Sequence, residues 1–136
     1  MAEEILVKEA LTDEMIRAGY ALTRQLEESG WPLSASLWFF EADQNDWKLI
    51  LASPAVTSGG PKAAYDTVSQ ALSALHQHFT DLKHITVVPP DHPVVRLLAS
   101  AVSTGPTNRG MRFSKNTING RFIDDAYLYR VTPTAA

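Results

Sequence analysis

Apolar and small positions first fall into register after Thr12: Met15, Gly19, Leu22 and Leu26 recur at i, i+4, i+7 and i+11, the repeat of one helical face. Thr12 offers an N-cap hydroxyl, and Asp13 and Glu14 occupy the first turn, where the helix dipole favours acids. Gly30 suits a left-handed C-terminal position and Pro32 forbids continuation. The pattern predicts a helix over 13–29. A period of two follows, with Leu33, Ala35, Leu37 and Phe39 alternating with Ser34, Ser36, Trp38 and Phe40. The polar tetrad Asp43-Gln44-Asn45-Asp46 turns the chain and Trp47–Ala52 returns. Centring this hairpin on Gln44-Asn45 sets Glu41 opposite Lys48, a favourable cross-strand pair. Both strands are apolar on both sides near their middles, which predicts a hairpin inside a sheet covered on two faces.

Pro54 and Gly59-Gly60 mark residues 53–60 as a loop. Pro61 suits the first turn of a helix over 61–82, whose face carries Val68, Leu72, Leu75, Phe79 and Leu82. A short strand, Ile85 to Val88, stops at Pro89-Pro90. Asp91 is the expected cap of a helix over 92–102 that turns Val94, Val95, Leu98 and Val102 inward. After a turn-rich loop from Ser103 to Asn108, Asn119-Gly120 predicts a type I′ turn between strands Met111–Ile118 and Arg121–Val131. That turn sets Lys115 opposite Asp124 and Phe113 opposite Ala126. The order α-β-β-α-β-α-β-β describes an α+β fold, a mostly antiparallel five-stranded sheet packed with three helices. One domain is expected across 1–136, with 1–11 and 132–136 flexible or peripheral.

Composition narrows the chemistry. The 136 residues contain no Cys, which excludes disulfides, thiolate zinc sites and Cys nucleophiles. The longest apolar runs, four to five residues, fall far short of the roughly 18 that span a bilayer, so no membrane partner is expected. Met1-Ala2-Glu3-Glu4 is acidic where a secretory leader would be basic, and the expected location is cytoplasmic.

No catalytic constellation emerges, and no cofactor or metal is expected. His76 and His78, two apart on a helix, point away from each other; His84 and His92 open a strand and a helix and could approach at a sheet edge. No acid stands at zincin spacing from any of them. Asp46-Trp47-Lys48 resembles the acid-x-Lys element of restriction-endonuclease-like folds, whose chemistry needs a second carboxylate to hold Mg²⁺. The preceding strand offers only Glu41, which the register above places beside Lys48, so the triplet reads as a turn acid and an ion pair. A metal-dependent hydrolase or nuclease is therefore the third of three functional readings. Thr57-Ser58-Gly59-Gly60-Pro61-Lys62 lacks Walker A spacing, and no nucleophile elbow occurs.

Charge is distributed unevenly: residues 1–50 carry net −6, residues 51–103 are neutral and residues 104–136 carry net +3. The C-terminal hairpin register places Arg112, Arg121, Tyr127 and Tyr129 on one face, with Arg109 just before it. Arg and Tyr anchor protein interfaces; they also stack bases and neutralise phosphates. A structural account has Asp125 and the acidic first helix neutralise these arginines, while Asp124 pairs with Lys115. Trp31, Trp38 and Trp47 are expected to be exposed. The leading expectation is a non-catalytic module that self-associates or binds a protein partner. The alternative is a nucleic-acid-associated protein using the Arg/Tyr face.

Overall fold

The computed structural model describes residues 10–75, 84–101 and 110–131. Helix α1 spans Asp13–Glu28, and the Met15 amide donates to the Thr12 hydroxyl at 3.1 Å. It ends as its glycine requires. Gly30 takes φ 84° and donates to the Glu27 carbonyl at 3.0 Å, and Trp31 reaches back to the Leu26 carbonyl at 3.1 Å, a Schellman closure. Strands β1 (Ala35–Glu41) and β2 (Asp46–Ala52) form the expected hairpin. A helix α2 (Pro54–Gly59) occupies the segment expected to be a loop. Ser53 caps it by accepting from the Ala55 amide at 3.0 Å, and Pro54 fills its first turn. Then come α3 (Pro61–Leu75), β3 (Ile85–Val88), α4 (Pro93–Ala101), β4 (Met111–Ile118) and β5 (Arg121–Val131). The expected continuation of α3 to residue 82, the histidines His76 and His78, and the loop from Ser103 to Asn108 lie outside the described residues.

The α+β class holds, with two corrections. Four helices are described, not three, and the five-stranded sheet, in order β3-β2-β1-β5-β4, is mixed because β2 and β3 pair in parallel. A parallel neighbour needs a crossover connection, which α2 and α3 supply. The hairpin at the centre is covered on both faces, as its two-sided apolar pattern demands. On one face Trp38, Phe40, Trp47, Leu49 and Leu51 pack under Leu22 and Leu26 of α1 and Val68 of α3. On the other, Leu37, Ile50, Ala52, Ala126 and Leu128 pack under Val94, Val95 and Leu98 of α4. Trp38 and Trp47 are therefore core residues rather than exposed ones, and Trp31 is half-buried.

The first hairpin turns one residue earlier than expected. Asn45 takes φ 49°, the Gln44 amide donates to Glu41 and the Asn45 amide to Ala42, so Ala42–Asn45 form the turn. Moving the centre by one residue shifts the pairing by two and leaves every side chain on its face. Glu41 consequently stands opposite Asp46, and Lys48 opposite Phe39. The second hairpin keeps its expected register, with Phe113 opposite Ala126.

One irregularity organises the α1 side. Between β1 and β5 the register steps from Leu37↔Leu128 to Ser36↔Arg130, so Tyr129 is an inserted residue. The bulge directs both Tyr129 and Arg130 to α1. The Tyr129 hydroxyl donates to the Ile16 carbonyl at 2.5 Å and accepts from Trp38 Nε1 at 3.1 Å; Arg130 Nη1 meets Glu27 Oε2 at 2.6 Å. Trp38 Nε1 also reaches the Met15 carbonyl at 3.2 Å. These groups fit only because position 19 has no side chain. A Cβ there would lie 2.7 Å from Trp38 Nε1 and closer still to the Tyr129 hydroxyl. Gly19→Ala should therefore destabilise the protein by about 1–3 kcal/mol, overriding alanine's roughly 1 kcal/mol helix advantage. Gly59→Ala, whose Cβ would meet Ala63 at an ordinary 3.9 Å, should be neutral or stabilising; urea unfolding of the two variants makes the comparison.

Candidate functional site

Edge strand β4 and its partner β5 carry most of the residues that the sequence marks out. Arg112 stands opposite Tyr127, on the face turned to α1. Its Nε and Nη2 grip Asp125 Oδ1 and Oδ2 at 2.8 and 2.7 Å, and the Ser114 hydroxyl adds a bond to Oδ1 at 3.0 Å. The guanidinium carbon lies 5.7 Å from the centre of the Trp47 ring, in cation–π range. The bidentate bonds to Asp125 hold the Arg112 guanidinium's pKa above its usual value. Asp125 is only 3 % exposed, so this pair, with Asp125 rather than Asp124 as the buried acid, settles the strand's charge.

Tyr129 is 2 % exposed, and burial pushes its hydroxyl well above the ordinary tyrosine range, so it remains a hydrogen-bonding phenol. Tyr127 is half-buried, packs edge-on to Tyr129 with ring centres 5.3 Å apart, and lies over Gly110 so closely that a Cβ there would overlap its hydroxyl. Arg121 belongs to the other face. Its cross-strand neighbour Ile118 packs on the α4 side together with Ile123, Ala126 and Leu128. Strict alternation would put Ile123 and Ala126 on opposite faces, so the alternation resets between them, across from Lys115 with its φ of 51°. The sequence-derived face of Arg112, Arg121, Tyr127 and Tyr129 is thus divided: two members are tied into the fold, one is half-buried and Arg121 is exposed on the far side. Arg109 lies outside the described residues. No row of free rings for stacking bases is formed by this set.

What the strand pattern does not reveal is the hairpin's outer end. The β1–β5 ladder stops at Phe39↔Ala126, whereas β1 continues to Glu41 beside β2. The strands diverge there into a fork, a hollow of about 280 Å³ lined by Phe39, Phe40, Glu41, Asp43, Phe122 and Asp124. Phe122 is 59 % exposed, the most exposed large hydrophobic side chain among the described residues; Met111 of β4, at 37 %, and Tyr20, at 42 %, are the others. An adjacent aromatic beside paired turn acids is the only sequence signal for this fork. A second hollow of about 430 Å³ lies between the end of α1 and α3, around Trp31, Gln25, Thr67 and Gln70.

The remaining candidates are placed as follows. Asp46 accepts from the Trp47 amide at 2.9 Å and lies 3.6 Å from Lys48 Nζ and 4.0 Å from His84 Nδ1. The corrected register brings Glu41 opposite this acid, yet among the described residues no three His, Asp or Glu side chains are arranged to hold a metal ion. His92, rather than Asp91, caps α4: its Nδ1 accepts from the Val94 amide at 3.3 Å. Comparison with family models, curated proteins and solved structures finds no match for this chain.

Two predictions follow from these contacts. Arg112→Ala leaves a buried carboxylate without its cation and should cost about 2 kcal/mol in urea unfolding, less than the 3–5 kcal/mol of a fully buried pair because the Arg112 side is 45 % exposed. Burial, and then the Arg121 charge, lowers the His92 pKa below 6.5, against a smaller raising effect of Asp91. The unfolded chain then binds the proton more tightly, so this contribution to stability is complete above pH 6.5 and is lost as pH falls below it. His92→Asn, which keeps a capping acceptor but does not titrate, should flatten the acid side of the stability profile measured between neutral and mildly acidic pH.

Proposed function

We propose that this protein is a non-catalytic interaction module and that its β4–β5 hairpin makes the contact. One observation carries the reading: two of the three large exposed hydrophobics among the described residues, Met111 and Phe122, stand on this hairpin. Scattered apolar side chains on a surface are ordinary; Met111 stands at the open end of the hairpin opposite Leu128, whereas Phe122, near its turn, stands beside an aromatic-lined hollow and with it forms a contact patch. The buried Arg112–Asp125 pair and the Tyr129 bonds to Ile16 and Trp38 fix the hairpin's inner half to the body. They leave its outer half presented on a rigid base, which limits the ordering cost of binding.

Native mass spectrometry of gently purified protein tests this. The wild type should appear above the 15.0 kDa chain mass, as a multiple of itself or with a second protein. The double variant Met111→Lys/Phe122→Lys should keep its melting temperature and return to the chain mass. A wild type found only at 15.0 kDa under every gentle condition would remove the proposal.

A further inference from the structure

We infer that the partner is a second copy of this chain, bound about a two-fold axis at the fork so that each Phe122 ring lies in the other copy's hollow. This rests on the interaction reading above and names the partner of that same hairpin.

Three features of the fork point to it. First, the ring and the hollow are neighbours in one chain: Phe122 is 59 % exposed and itself lines the opening beside Phe39 and Phe40. A two-fold axis passing near Phe122 therefore brings both rings to both hollows at once, the self-complementarity that an isologous contact requires. The hollow, about 280 Å³, exceeds the volume of a phenyl ring.

Second, the charges match across such an axis. The rim is acidic, with Glu41 and Asp43 from the first hairpin and Asp124 from the second; the second hairpin carries exposed Lys115 in mid-β4 and exposed Arg121 beside its turn. The same asymmetry runs through the chain, net −6 in residues 1–50 and net +3 in residues 104–136. Within one copy, Glu41 stands directly opposite Asp46, an unfavourable like-charge pair at the end of the ladder. Lys48 and His84 lie near Asp46, and no ion pair to Glu41 or Asp43 occurs among the described residues. A cation from a second copy relieves that repulsion.

Third, the competing route to a dimer, edge-to-edge pairing of β4, is obstructed. Lys115 stands in the middle of that strand with φ 51°, which breaks the flat run of backbone donors and acceptors and adds a charge, both devices that protect sheet edges. Contact through the hairpin tip needs no such ladder.

Sedimentation velocity on the full chain, from micromolar to submillimolar concentration, tests the arrangement. The wild type should move to twice 15.0 kDa as concentration rises, with weaker association in high salt. Phe122→Ser should raise the dimer dissociation constant by about tenfold or more while the melting temperature stays unchanged, since the ring is exposed in the single copy. Lys115→Glu/Arg121→Glu and Glu41→Lys/Asp43→Lys should each sediment as monomers. Mixed in equal amounts they should dimerise again, because each contact of the mixed pair then joins opposite charges. A wild type at the chain mass throughout overturns the inference while leaving a heterologous partner to the native-mass experiment. A dimer indifferent to Phe122→Ser and to both charge reversals overturns the fork as the contact and leaves self-association standing.

Discussion

The bulge at Tyr129 is the constraint from which the rest of the arrangement follows. An inserted residue in β5 turns a phenol toward α1, where it bonds to the Ile16 carbonyl and receives the Trp38 indole N–H. Three elements distant in sequence meet at one point, where Trp38 and Tyr129 are both buried. Each of these polar groups is buried with a partner, and each would cost roughly 1–3 kcal/mol if orphaned. A short bond network beside it, from Thr23 to the Gly19 carbonyl at 2.7 Å and to Ser36 at 2.6 Å, ties the next turn of α1 to β1. Helix position, strand register and the direction of Arg130 toward Glu27 are thus mutually determined.

Fixing β5 against β1 at this end leaves the other end to diverge. The ladder closes at Phe39↔Ala126 and the second hairpin continues alone, its outer strand mostly exposed. Near the point of departure Ile123 and Ala126 are buried on the α4 side, and Asp125, held by Arg112 and Ser114, is buried on the α1 side. The hairpin therefore has an inner half packed on both faces and an outer half that touches the core only on its α4 side, through Ile118 and Ile123. Phe122, Lys115 and Arg121 lie on the outer half. Phe122, the most exposed large hydrophobic among the described residues, and the acids Glu41 and Asp43 are brought to the same corner by this one divergence.

Much of this fold was legible from spacing alone. The α1 stripe with its Thr12 and Gly30 boundaries, the strand Ile85–Val88 and the Asn119-Gly120 hairpin all rest on local chemistry that the backbone obeys. Other features depend on information that a single sequence does not carry locally. Trp38 and Trp47 look like surface aromatics until the hairpin is known to be covered by helices on both sides. Glu41 stands opposite Asp46 rather than Lys48 because Asn45, not a glycine, takes the left-handed turn position. Residues 53–60 are expected to be a loop because Gly59-Gly60 shortens the run below a readable period, yet Ser53 caps and Pro54 opens a helix there. For the candidate site the limits are sharper. Alternation assigns Arg112 and Arg121 to one face, and only the reset beside Lys115 separates them. Nothing in the strand's composition announces the inserted Tyr129, which converts an expected interface residue into a structural one.

The measurement closest to the central claim is amide hydrogen exchange on the intact chain at low and at high concentration. The account predicts added protection at high concentration confined to the fork and the hairpin tip, residues 39–44 and 115–124, with the Tyr129 node equally protected in both. Concentration-independent exchange throughout, or added protection elsewhere, such as around Trp31 and α3, would contradict it.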